Sequence, residues 1–145
     1  MSTPILRNNV GSPIAVTTTV AIANNAYANA ADKLRINNTG NALLADFILT
    51  GATFGTAPVG GRVQLVAVDR TTAGVAGPTP SSSMLGRVYS FDPQPTTGNA
   101  LTTWTMTCPK VPLNADTDYW LLNNGTGYQI AIGCVLAAQP WSPGA

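Results

Sequence analysis

Residues 101–108, LTTWTMTC, carry the cleanest alternation in the chain. Trp104, Met106 and Cys108 fall on one side and Thr103, Thr105 and Thr107 on the other. That is the period of a strand with one face in a core and one in solvent. Pro109 and Pro112 either close this strand or place it at a sheet edge, because proline brings no N–H to a ladder. Residues 15–22, AVTTTVAI, repeat the pattern, with Val16, Val20 and Ile22 facing in and Thr17 and Thr19 facing out. Lys33–Asn37 alternates around Leu34 and Ile36, and residues 38–41 turn the chain. In 129–137, Ile130, Ile132, Cys134 and Leu136 share a face.

The stretch 42–70 holds two longer runs joined by a Gly/Pro/Thr link. Phe47 and Leu49 oppose Ile48, while Val63, Leu65 and Ala67 oppose Gln64, Val66 and Val68. Both faces are apolar, which predicts strands covered on two sides, by a second sheet and by a partner. MLGRVYSF (84–91) and DYWLLNN (118–124) are further strands, and residues 24–32 form a loop or one short helical turn. Residues 71–83, TTAGVAGPTPSSS, are a long polar loop.

About eight strands at spacings of about 10–15 residues predict an all-β fold, a two-sheet antiparallel jelly-roll-like sandwich. The sandwich domain spans 14–137. An extended N-terminal arm (1–13) precedes it and a Pro-rich C-terminal tail (138–145) follows it.

Composition sharpens this picture. Only 9% of the 145 residues are charged and 45% are hydrophobic, whereas about 25% charge is ordinary and disorder combines high charge with low hydrophobicity. The surface is therefore Thr, Ser, Asn, Gly and Ala, which suits a protein largely covered by neighbours. The net charge of +1 comes from scattered cations, not the basic stripe that phosphate neutralisation needs, so nucleic-acid binding is not expected. No apolar run approaches the ~20 residues of a membrane span. The first ten residues lack a secretory pattern, which predicts synthesis in a cytosol. Cys108 and Cys134 read as small buried residues, placed where they could come close enough to cross-link outside the cell.

The chain contains no His and all six of its acidic residues are Asp. Ser-His-Asp and Cys-His activation is therefore out of reach. So are His-based metal sites, and two Cys do not complete a zinc site. Asp46, Asp69, Asp92, Asp116 and Asp118 read as acceptors at strand ends and turns rather than a glycosidase pair. Asn114, Asp116 and Asp118 have the spacing of a calcium loop but lack its Gly and distal Glu. Asn37-Asn38-Thr39 and Asn124-Gly125-Thr126 match glycosylation sequons that read as plain turns. The five Arg of Arg7, Arg35, Arg62, Arg70 and Arg87 read as solvated or Asp-paired. No catalytic, cofactor or metal residues are expected.

Two segments carry a family resemblance. ATFGTAPVGGRVQLVAVDR (52–70) resembles a pattern in small structural proteins of tailed bacteriophages, a Phe-Gly link and Gly pair leading into a strand closed by Asp. LNADTDYWLLNNGTGYQI (113–130) is similar to their closing signature of polar turn, aromatic strand and Asn-Asn-Gly turn. Together they cover about a quarter of the chain. The resemblance implies a jelly-roll head-decoration, or cement, protein that sits on the outside of the capsid as a homodimer or homotrimer. It would clamp adjacent copies of the major capsid protein by interface burial repeated over the shell. On this reading the expected contacts are the arm residues Pro4, Ile5, Leu6 and Arg7, with Tyr27 and the tail aromatic Trp141. The competing expectation is a carbohydrate-binding or structural module of a tail fibre or baseplate, for which an exposed aromatic such as Tyr119 or Trp120 would stack on sugar.

Overall fold

The computed structural model describes residues 6–56, 58, 60–70, 75, 77–80, 87–95 and 103–144. Pro4, Ile5, much of the 71–83 loop and the first residues of the 84–91 strand lie outside them. Ten strands are present among the described residues: β1 (Leu6–Asn9), β2 (Ile14–Thr17), β3 (Ala26–Tyr27), β4 (Leu34–Asn37), β5 (Leu44–Thr53), β6 (Arg62–Asp69), β7 (Arg87–Ser90), β8 (Thr103–Pro112), β9 (Asp116–Asn124) and β10 (Val135–Gly144). One 3-10 turn, Ala30–Asp32, lies between β3 and β4.

All pairings are antiparallel and form two sheets. In sheet 1 the order is β10–β5–β8, with β1 and β2 sharing the free edge of β10. In sheet 2 the order is β9–β6–β7, with β3 and β4 sharing the free edge of β9. With each short pair counted as one broken strand, the sandwich is four strands on four. The chain crosses between sheets at every connection except β6 to β7, which is the jelly-roll winding.

The core follows from the alternation. Phe47, Leu49, Met106 and Leu136 of sheet 1 meet Leu65, Tyr119 and Leu121 of sheet 2. The Phe47 and Tyr119 rings lie 4.7 Å apart across the two sheets, at a tilt of 49°, a favourable aromatic geometry.

Several local expectations change. The 15–22 strand stops at Thr17, because the buried Asp32 carboxylate accepts the N–H groups of Thr19 and Val20 at 3.0 and 3.2 Å and turns the chain. Val20 is consequently exposed. The last strand begins at Val135 rather than at 129, since Gly133 takes φ +93° and interrupts the pattern. Ile132 is thereby rotated out to 64% exposure. The segment expected as a Pro-rich tail is the second half of β10. The arm also has an element of its own, as β1 pairs with that half from Leu6↔Gly144 to Asn9↔Trp141. Pro140 sits where β1 gives way to β2, accepting the Val10 N–H at 2.9 Å and needing no donor of its own.

The apolar outer face of β6 is covered by the chain itself, not by a partner. Val66, Val68 and Trp120 are buried, with Tyr27 and Leu122 packed against them. Gly77 lies against Val68, and the Lys33 ammonium stands 5.3 Å from the Trp120 ring centre. The cysteines are free. Cys108 is opposite Phe47 on β5, whereas Val135, next to Cys134, is opposite Thr50. Four residues of strand and two strand spacings put their Cα atoms roughly 16 Å apart, beyond disulfide reach.

Candidate interaction surface

Alternation on β5, β8 and β10 sends a second set of side chains to the outer face of sheet 1. The register aligns these into rows. Ala15, Ala137, Ile48 and Thr107 are successive partners across four strands, and Thr17, Val135 and Thr50 form the next row. None carries a charge, and Ile48 is 38% exposed. Beside the first row a depression of about 490 Å³ is lined by apolar Ile48, Pro13, Pro109 and Ala137 together with polar Asp46, Thr107 and Gln139.

Asp46 organises one end of this face. Its partners are brought in by β8, β10 and β1. Between Ala45↔Val111 and Phe47↔Cys108 the β8 strand carries an extra residue, a bulge in which Lys110 adopts φ +57°. Asp46 Oδ1 accepts the Lys110 N–H at 2.9 Å and the Trp141 indole N–H at 3.1 Å. Asp46 Oδ2 pairs with the Arg7 guanidinium, which also lies 5.1 Å from the Trp141 ring centre. Burial alone would raise the Asp46 pKa, but the Lys110 amide, the Trp141 N–H and the Arg7 charge outweigh it, and the pKa is lowered.

The expected contact residues therefore separate. Leu6, Arg7 and Trp141 come together at this end, with Leu6 56% exposed and Trp141 only 6% exposed. Trp141 is thus a support beneath Arg7, not a free tail aromatic. Tyr27 is on sheet 2, half-buried against Trp120, and does not join them. Pro4 and Ile5 lie outside the described residues. Two important residues, Asp46 and Ile48, were absent from the expected contacts. Asp46 lies inside a strand rather than at its end, and so does Asp118.

Most of the remaining guanidinium groups are engaged with carboxylates. Arg35 pairs with Asp116 at 2.8 Å, Arg70 with Asp118 at 2.9 Å, and Arg87 with Asp69 at 2.8 Å. Asp116 and Asp118, two of the three oxygens with calcium-loop spacing, are thus held by guanidinium groups. Among the described residues no group of three or more His, Cys, Asp or Glu side chains is placed to hold a metal ion. No described helix is long and apolar enough to cross a membrane.

Compared with protein-family models, curated proteins and solved structures, the chain matches none.

Proposed function

We propose that this is a virion structural protein, a decoration (cement) protein that binds the outer surface of a tailed-phage head and holds adjacent copies of the major capsid protein together. The observation that carries the reading is the outer face of sheet 1. It is a four-strand surface whose central rows carry no charge and whose one end is closed by the Arg7–Asp46 pair, on a jelly roll whose own charges are largely paired. The central rows lose little on desolvation, since they have no ions to strip of water, and the ions at the end are already paired with each other. Repeated over a shell, even a small contact accumulates. The resemblance of residues 52–70 and 113–130 to small phage structural proteins points the same way.

Sugar binding draws less support. Trp104, Trp120 and Trp141 are all buried, and Tyr27, Tyr89 and Tyr128 are half-buried, so a stacking platform of exposed rings is not assembled.

The test is sedimentation of the purified protein with expanded, undecorated heads. The expected result is saturable, stoichiometric co-pelleting and heads that resist higher temperature. Protein left wholly in the supernatant, with unchanged head stability, overturns the reading.

A further inference from the structure

We propose that β1 is an exchangeable strand and that the β10 edge Trp141–Gly144 is its acceptor site, occupied in the assembled oligomer by β1 of a second copy of this chain.

Nothing in β1 is committed to the core. All four of its residues, Leu6 to Asn9, are exposed, so the strand is held by its ladder with β10 and by the Arg7 clamp. Its neighbour β2 differs, because Ile14 and Val16 pack against the core. Release of β1 therefore leaves the sandwich closed. The joint between them is held by two hydrogen bonds, from the Val10 N–H to Pro140 and from Gln139 to the Gly11 carbonyl, and by Val10 lying against Gly40. Gly11 takes φ +74° with open space around it, and a depression of about 300 Å³ lies beside Val10, Gly11 and Ser12. Freed from β10, residues 6–13 span about 26 Å when extended. That exceeds the roughly 14 Å width of a four-strand sheet, enough to reach the edge of an adjacent copy.

The acceptor edge is matched to the sequence of β1, which identifies the occupant. Asp46 offers a carboxylate and Trp141 a ring face to the one cation on the strand, Arg7. Gly144 leaves room for the flanking side chains, since a Cβ there would meet Asn8 Nδ2 at 2.8 Å and Leu6 Cβ at 3.1 Å. A second copy presents the same Leu-Arg-Asn strand in the same register, so exchange recreates every contact and adds a connection between copies. This inference concerns the protein's own assembly and does not depend on head binding.

Asn8 and Ser142 are directly opposed in the ladder, at a spacing that a disulfide spans. The experiment mixes two full-length variants of distinguishable size, Asn8→Cys and Ser142→Cys, at high concentration and oxidises them. Cys108 and Cys134 are buried, and each variant oxidised alone gives the background. The expected result is a covalent product joining the two variants, well above either background. The same oxidation of an Asn8→Cys/Ser142→Cys double variant should give linked chains on a non-reducing gel. No mixed product, with the double variant closing within single chains, overturns the proposal. Adding Arg7→Ala to the Asn8→Cys chain should lower the mixed yield about threefold to tenfold. An unchanged yield refutes recognition of β1 through Arg7.

Discussion

Replacing Asp46 by Ala removes one carboxylate from three long-range partners at once. The Trp141 indole N–H, on a residue only 6% exposed, loses its acceptor in a place water reaches poorly, which costs about 1–3 kcal/mol. The Lys110 N–H belongs to an exposed residue, so water replaces the bond and the loss is about 0.5–1 kcal/mol. The Arg7 pair is partly exposed on both sides and adds about 0–1 kcal/mol. The sum is about 1.5–5 kcal/mol, read as a lowered urea midpoint with unchanged slope. Asp46→Asn keeps an oxygen for Lys110 and Trp141 and should lose about half as much. The pH dependence follows from the lowered Asp46 pKa. A carboxyl held below its unfolded value stabilises the fold fully above that value, near 3.8, and the contribution fades as pH falls through the folded pKa. The gap between wild type and Asp46→Asn should therefore be constant from pH 8 to about 5 and narrow below about 4. A loss under about 0.5 kcal/mol for Asp46→Ala, or a gap that does not narrow in acid, refutes the hub.

Gly61→Ala should cost about 3 kcal/mol or more in a denaturation curve. A Cβ there overlaps the Asn124 and Gly125 backbones at φ +67°. Gly11→Ala, at φ +74° in open space, should cost only about 1–2 kcal/mol. Arg70→Met leaves the buried Asp118 short of its guanidinium partner and should destabilise by about 3–5 kcal/mol, whereas Arg70→Met with Asp118→Leu recovers much of it. Burial pushes the Cys108 thiol up to about 11 and raises that of Cys134. Neither should react with a thiol reagent at pH 8 in the native protein, and both should react in denaturant.

The sandwich was legible wherever the side-chain period stayed at two. Trp104, Met106 and Cys108 against three threonines, and Phe47 and Leu49 against Ile48, face as the alternation says. Legibility ended where the backbone changed hand or supplied an unpaired residue. Gly133 breaks the run from Ile130 to Leu136, and Pro140 and Pro143 disguise a ten-residue strand as a tail. Prolines fit within β10 because one marks the β1–β2 break and the other lies beyond the end of β5. The Asp46 hub had no local signal, since its partners are 39, 64 and 95 residues away. Long stretches of sequence likewise separate Lys33 from Trp120, and Gly77 from Asp118 at 3.3 Å. An apolar outer face that suggested a partner was therefore closed by Tyr27, Lys33 and Gly77 of the chain itself.

The outer face of sheet 1 as the surface that meets the head is tested most directly by one paired binding measurement. Ile48→Lys places a charge at the centre of that face, and Val88→Lys places one on the exposed edge strand of sheet 2. Both positions are at the surface, so both variants should fold with stability near wild type. In co-sedimentation with undecorated heads, Ile48→Lys should lose at least tenfold in affinity while Val88→Lys binds as wild type. Unimpaired binding by Ile48→Lys, with loss in Val88→Lys, would contradict the account and move the contact to the opposite sheet.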